Sequence, residues 1–465
     1  MSKAASGMEA ESRIEDDGLG PVTVAGDDCY GVHTIRALEN FTFTVRTIGS
    51  LRHFVESFAL VKKAAALANY DTGLLSAATC EAICLACDEI AAGRHGRAFP
   101  IDVLQGGAGT STNMNVNEVI ANLALKSLGY PYGAYDRLHP IDDVNRSQST
   151  NDVYPTAARI TVIRNLRDLR SRLVELTETF LCKAVEFDEI VKVGRTQLQD
   201  AVPMLLGDEF RAFAVMLGED AERLREAENL LAEVNLGGTA IGTGINASNQ
   251  YRAKVINHLS EISCISIRPS ASMVEATSDP GAMLLCSSML RRVAVKLSKV
   301  ANDLRLLCSG PRTGLGEIRL PKVQAGSSIM PGKVNPVIPE AVNQACFTVM
   351  VNDLTIMLAC DAGQLQLNAM QPVIVWKILE SIELLERAAV ALRDRCVTGI
   401  VANAERCREL LLRSSALATA LTPLIGYDAA AEIVKQAETS GESILDVLRA
   451  RGVMDDSTIG KLLSP

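Results

Sequence analysis

Residues 155–180, PTAARITVIRNLRDLRSRLVELTETF, place Ile160, Ile163, Leu166, Leu169, Leu173, Leu176 and Phe180 at intervals of three and four, with Arg, Asp and Glu between them. That spacing lays one apolar stripe along a helix of many turns and leaves charge on its other faces. The same alternation returns at Leu290, Val293, Leu297, Val300, Leu304 and Leu307, inside a helix predicted over 275–309. Helices are also predicted over 50–95, over 208–235 and over 337–398, the last bent near Pro372. Helices this long need apolar partners along their whole length. The sequence therefore predicts a mainly α fold around a central long-helix bundle, extended enough to recruit helices from other copies of the chain.

Working outward, the chain of 465 residues suggests roughly three structural units at about 150 residues each. Residues 1–148 read as a mixed, mainly helical domain, because glycines, prolines and Asn/Thr/Ser clusters interrupt the pattern over 96–150. The bundle follows at 149–401, and shorter amphipathic helices over 402–465 form a small C-terminal domain. Aromatics are only 4% of a chain that is 48% hydrophobic, a balance that favours packed Ala- and Leu-rich helices over a large sheet.

Charge and cysteine usage narrow the function classes. The 46 basic and 55 acidic residues give a net charge of −9, and no Lys/Arg block is present, so the footprint of a nucleic-acid partner is missing. The polar N-terminal stretch carries no signal-like apolar region, and no run of 18 apolar residues follows, which predicts a cytoplasmic protein without a membrane partner. Its 12 irregularly spaced cysteines then read as reduced thiols. Cys80, Cys84 and Cys87 match a spacing used by iron–sulfur sites. Their intervals also put them on one face of an Ala-rich helix, where free cysteine behaves as a small hydrophobe, and that reading is preferred.

Four polar, glycine-punctuated segments stand out from the helical background: Gly106 to Asn117, Ser147 to Pro155, Gly194 to Pro203 and Gly326 to Pro336. Each reads either as helix caps and turns or as part of a binding site. The last is the hardest to explain as a cap, because it offers Ser327, Ser328, Lys333 and Asn335 on a backbone restricted by Pro331 and Pro336 and loosened by Gly326 and Gly332. A full positive charge with directional hydroxyl and amide donors suits a small polar acid. Phosphate-loop, dinucleotide and nucleophile-elbow motifs are absent. The five histidines, of which His33 sits in a conspicuous YGVHT stretch, form no metal-ligand pair.

The segment Gly326-Ser-Ser-Ile-Met-Pro-Gly-Lys-Val-Asn-Pro336 resembles the signature loop of the aspartase/fumarase superfamily, and the resemblance runs through nearly the whole chain. Gly107-Ala-Gly-Thr-Ser111, Ser147-Gln-Ser-Thr-Asn-Asp152, Gly194 to Pro203 and Tyr30-Gly-Val-His-Thr34 are similar to the aspartase branch. Class II fumarases typically carry a serine and a Gln where this chain has Ala108 and Ser111, a serine where it has Thr150, and a histidine where it has Gln197. The resemblance implies the three-domain fold of the superfamily and a homotetramer with active sites shared between subunits. It also implies reversible deamination of L-aspartate to fumarate and ammonia. Ser327 then matches the catalytic base and Ser328 a substrate-binding hydroxyl, Lys333 and Asn335 hold the α-carboxylate, and Thr110, Ser149 and Thr150 surround the β-carboxylate. Asn151, Thr196 and Gln197 match positions near the amino group. The implied chemistry requires no cofactor, and divalent-cation activation has no signature in the sequence. The alternatives are a class II fumarate hydratase, using the same enediolate with water as leaving group, and a non-catalytic structural descendant of the superfamily.

Overall fold

The computed structural model describes residues 12–326 and 328–452. Its helices are, in chain order, α1 (Val32–Asn40), α2 (Phe54–Asp71), α3 (Ala77–Ala91), α4 (Thr110–Ser127), α5 (Thr150–Glu186), α6 (Leu206–Leu231), α7 (Asn249–Ser263) and α8 (Met273–Ser278). They continue as α9 (Gly281–Leu307), α10 (Val337–Asp361), α11 (Gln371–Arg395), α12 (Ala404–Arg413), α13 (Ala416–Ile425), α14 (Tyr427–Ser440) and α15 (Ile444–Arg451). Strands are short and paired in twos, among them β1 (Arg13–Asp16) with β2 (Pro21–Val24) and β3 (Val191–Thr196) with β4 (Gln199–Leu205). The fold is mainly α, as the stripes require. Ile160, Ile163, Leu166, Leu169, Leu173, Leu176 and Phe180 are all fully buried on α5.

Two expectations are corrected. The helix expected over 275–309 is broken at Asp279 and Pro280, α8 ending at Ser278 and α9 starting at Gly281. The stretch 337–398 is not a single bent helix but two, α10 and α11, separated by residues 362–370. Asn368 organises the break, its amide donating to the carbonyls of Ala359 and Cys360 and its oxygen accepting from the Met370 amide. Pro372 falls in the first turn of α11, where a missing N–H costs no hydrogen bond. By length and composition α10 is apolar enough to cross a membrane. Its Asn343, Asn352 and Asp353 are nonetheless buried against Ser298, Ser381 and Ser287, a pattern of polar contacts that belongs to a helix packed on protein.

The chain divides into two compact units, and the division falls within five long helices, α5, α6, α9, α10 and α11. The first unit comprises residues 1–169, 223–291 and 349–383. In it α2 packs on α3 and α7, and α3 on α4. Phe54, Phe58 and Tyr154 form an edge-to-face cluster with ring centroids 5.4–5.7 Å apart. Cys80 and Cys87 lie buried on α3 with Cys84 half-buried, and all twelve cysteines are free thiols. The second unit comprises residues 170–222, 292–348 and 384–465. Phe180, Phe187, Phe210 and Phe213 centre one part of its core, while Leu417, Leu421, Ile433 and Leu448 pack with Val193 in another.

Candidate active site

In the first unit, two of the polar segments turn out to be helix N-termini. Gly107, Ala108 and Gly109 run through left-handed backbone (φ 80°, 55° and 92°) into α4. A Cβ on Gly109 would lie 2.1 Å from the Tyr154 ring, so only glycine lets the turn close on that aromatic cluster. Thr110 opens α4 and its hydroxyl donates to the Gly107 carbonyl at 2.7 Å. Ser149 caps α5 in a reciprocal box: its Oγ accepts from the Asn151 amide at 3.2 Å, and the Asp152 carboxylate accepts from the Ser149 amide at 2.9 Å. Pro155 cannot supply the helical hydrogen bond to Asn151, so the Asn235 amide donates to that carbonyl at 2.9 Å, while Asn151 Nδ2 donates to Ala240.

Asp152 is fully buried and ties this helix start to the 235–240 turn, its second oxygen accepting from the amides of Gly237 and Thr239 at 3.0 Å. Burial pushes its carboxyl up to about 6, against the downward pull of those backbone donors. The YGVHT stretch is explained by α4 as well. Glu118 accepts from the amides of Gly31, His33 and Thr34 and from the Thr34 hydroxyl, capping α1 from a distant part of the chain. His33 is thus held through its backbone, and burial lowers its imidazole below the usual range.

A polar network joins the two helix starts. Asn113, one turn into α4, donates from Nδ2 to Thr150 Oγ1 at 3.1 Å. Its Oδ1 accepts from Lys62 Nζ at 2.7 Å, and Lys62 reaches Asn145 Oδ1 at 3.0 Å and Gln148 Oε1 at 2.9 Å. Lys62 is fully buried, and desolvation pushes its ammonium down to about 7 despite the opposing attraction of Asp152. Thr150 and Ser149 each accept through their hydroxyl oxygen, and neither hydroxyl donates to a protein acceptor among the described residues. The start of α5 thus keeps two hydroxyl protons beside its unpaired amides, whereas at the start of α4 the Thr110 hydroxyl is spent on the Gly107 carbonyl. The sequence reading missed Lys62 and Asn113. The available signal was a lysine on the buried face of α2, one turn after Phe58, where a charge is unexpected.

In the second unit, Thr196 and Gln197 sit at the tip of the β3–β4 hairpin, with Thr196 paired to Gln199. Gln197 (φ 53°) and Leu198 (φ 62°) both occupy left-handed backbone, the signature of a primed two-residue turn that side chains rarely adopt. The hairpin is braced from behind. Arg195 donates to Glu317 Oε1 at 2.8 Å, and Lys192 lies 2.8 Å from the other Glu317 oxygen and 2.6 Å from Glu209. Glu317 and Lys192 are buried, so each charge is matched where it could not be solvated.

The Gly326–Pro336 segment belongs to the same unit. It closes on itself: a Cβ on Gly326 would fall 1.7 Å from the Lys333 carbonyl, and Asn335 Nδ2 donates to the Gly326 carbonyl at 3.2 Å. A turn from the Met330 carbonyl to the Lys333 amide, with Gly332 at φ 82°, forms its other end. Ser328 and Lys333 are exposed and Asn335 is half-buried. Ser327, the expected base, lies outside the described residues. The structure thus gathers Thr110, Ser149, Thr150 and Asn151 at one pair of helix starts. It sets Thr196 and Gln197 on a hairpin tip, and Ser328, Lys333 and Asn335 on a closed loop.

Comparison with known proteins identifies the family of the chain. A lyase family model matches residues 20–351, and a model of the fumarase C C-terminus matches 417–465. An aspartate ammonia-lyase of Pseudomonas aeruginosa is 53% identical, aligned over 98% of this chain and 96% of its own length. That of Escherichia coli K12 is 47% identical over 98% and 96%. Among solved structures, a fumarate lyase:delta crystallin from Brucella melitensis bound to cobalt superposes with a TM-score of 0.95 at 54% identity, covering 97% of this chain and 98% of that one. A class II fumarase from Schistosoma mansoni superposes with a TM-score of 0.93 at 32% identity, covering 98% of each chain.

Proposed function

The chain belongs to the aspartase/fumarase lyase family, and on that premise we propose that it is a carbon–nitrogen lyase that interconverts L-aspartate with fumarate and ammonia. The observation that carries the reading is the hydroxyl polarity at the start of α5, in a chain about half identical, end to end, to proteins named aspartate ammonia-lyase. The hydrogen on the carbon beside the β-carboxylate is very weakly acidic. Removing it sends the C–H electron pair into that carboxylate, which becomes an enediolate with a second negative charge. Ser149 and Thr150 are the donors assigned to those oxygens, backed by two helix N-termini, and Thr110 joins them once its hydroxyl turns from the Gly107 carbonyl to the substrate. Ser327 takes the proton. A serine is a weak base, so its alkoxide is assigned stabilisation from loop amides and Lys333. Lys333 and Asn335 are assigned to the α-carboxylate, with Ser328 as a further donor, and Asn151, Thr196 and Gln197 are assigned to the amino group. The enediolate then returns its electron pair to form the carbon–carbon double bond, and ammonia leaves. No step draws on a cofactor.

Assembly is part of the proposal. Phe347, Val351, Leu354 and Leu358 line one face of α10 and are 51–62% exposed, an apolar stripe at helical spacing that water covers in a single chain. A second copy of the chain is the partner assigned to it, in a cytosolic homotetramer whose active sites draw residues from more than one subunit. Sedimentation should return a tetramer, and a stable, active monomer would contradict the assignment.

A hydratase reading has the Schistosoma fumarase behind it at 32% identity. Gln197 weighs against it, because an amide cannot titrate near neutrality to relay a proton to or from water. The deciding experiment supplies the pure protein with L-aspartate and, separately, L-malate, and follows fumarate absorbance. Fumarate from aspartate is the expected result. Fumarate from malate alone would replace the lyase reading with the hydratase one, and fumarate from neither would favour a non-catalytic descendant.

A further inference from the structure

A lysine ammonium has donors and no acceptor, so whatever it touches must present an oxygen. Lys62 is fully buried and touches three neutral amides, at Asn113, Asn145 and Gln148, with no carboxylate within salt-bridge distance among the described residues. An isolated buried charge is expensive, and apolar side chains of the same size would fill the space at lower cost. Its effect on its neighbours is a fixed polarity. With Oδ1 pinned on Lys62, the Asn113 side chain has only its NH2 to offer on the other side, and that group donates to Thr150 Oγ1 and to Asn145 Oδ1. Thr150 is consequently an acceptor toward the protein. Its single proton is left for whatever lies at the start of α5.

We propose that Lys62 is a positioning residue for the lyase reaction: by locking the Asn113 amide with its oxygen inward, it obliges the Thr150 hydroxyl to donate outward to the substrate β-carboxylate. Without Lys62 only the 3.2 Å bond from Asn113 Nδ2 to Asn145 Oδ1 opposes a turn of the Asn113 amide. Thr150 would then spend its proton on Asn113 Oδ1 and meet the enediolate with a lone pair. Below about pH 7, where Lys62 keeps its proton in the fold, its charge also places a buried positive potential behind the oxygens where negative charge develops. This inference rests on the functional reading above and goes beyond it by assigning a residue that touches no substrate.

The test is a double-mutant cycle on the full-length protein, with fumarate release from L-aspartate as the readout. Lys62→Met should lower turnover by about ten- to a hundredfold with a smaller change in KM, since a donor to the enediolate is misdirected. Thr150→Val should cost more, and adding Lys62→Met to Thr150→Val should change turnover by less than about threefold, because the hydroxyl it directs is gone. Full additivity would overturn the proposal, a result expected of a merely structural lysine. Asn113→Asp supplies a second route if Lys62→Met fails to fold. Its carboxylate accepts from both Lys62 and Thr150, so it should melt no lower than wild type and yet lose turnover by at least about tenfold. An Asn113→Asp enzyme with wild-type turnover would overturn the proposal. Wild-type protein that releases no fumarate from L-aspartate would instead sink the functional reading, an outcome separate from any difference among the variants.

Discussion

The starts of α4 and α5 and the Gly326–Pro336 loop carry the same kinds of residue and are built in opposite ways. At the helix starts each polar side chain is committed: Ser149 to Asn151, Asp152 to three backbone amides, Asn113 to Lys62 and Thr150. In the loop, Ser328 and Lys333 are exposed, and among the described residues an Asn335 side-chain bond, a turn at Met330–Lys333 and the approach of Gly326 to Lys333 bring its ends together. The difference matches two chemical duties. Donors for a developing charge work best when they cost no reorganisation, which demands a fixed, satisfied network. On the proposed assignment the loop brings a base and a cation to the substrate, a duty that suits exposed side chains such as Ser328 and Lys333.

The strongest way to break that contrast is to empty the loop of its proton acceptor. Ser327→Ala should lower turnover of L-aspartate by at least about a thousandfold, with the oligomer unchanged in sedimentation, since no other group is assigned the proton. Near-normal turnover would hand the base role to another residue. Next in size is Thr150→Val on the fixed side, which keeps shape and removes one donor. A loss of about a hundred- to a thousandfold in turnover is expected, with little change in melting temperature. A variant that lost affinity alone would make Thr150 a ground-state contact. Lys333→Ala should raise KM for aspartate by roughly ten- to a hundredfold through loss of a charge-assisted contact, with the smaller effect on turnover. If its turnover fell as far as that of Ser327→Ala, the cation would belong to the base and not to the α-carboxylate.

The contrast also marks how far the sequence could be read. The stripes on α5 and α9 specify the helices because burial at three-four spacing is a local property, and every position named in them is buried. The break between α10 and α11 was less legible, since Asn368 ends one helix through bonds to its last turn that composition does not announce. At the site, composition marks the punctuated segments that hold Thr110, Ser149 and Thr150, and only the family resemblance singles those residues out within them. Which of their hydroxyls accepts and which donates within the fold required the structure. Lys62 escaped because its partners Asn113, Asn145 and Gln148 are 51–86 residues away in the chain. Only the packing of α2 against the α3–α4 layer turns a lysine on an apolar helix face into the centre of a network.

The smallest expected effect probes what the fixed side costs the fold. In the native protein burial lowers Lys62 to about 7, and its ordinary value is 10.5. Between those values the unfolded chain holds a proton that the folded chain has released, so the Lys62 contribution to stability rises with pH across the window. Below about pH 7 both states carry the charge, and the full desolvation cost falls on the native state. Methionine at this position has no such dependence. The difference in melting temperature, Lys62→Met minus wild type, should therefore fall by a few degrees as pH is raised from 7 to 10, whatever its sign at the start. The other titratable groups acting on Lys62 are Asp152 and Cys87. Asp152 is ionised in both states above pH 7, and burial holds the Cys87 thiol protonated in the fold across this range, so its own slope is common to both proteins and cancels in the difference. A flat difference would mean that Lys62 keeps its proton in the native state up to its ordinary range. The three amide oxygens would then solvate the charge as well as water does, and the fixed side of the site would stand at no cost to stability.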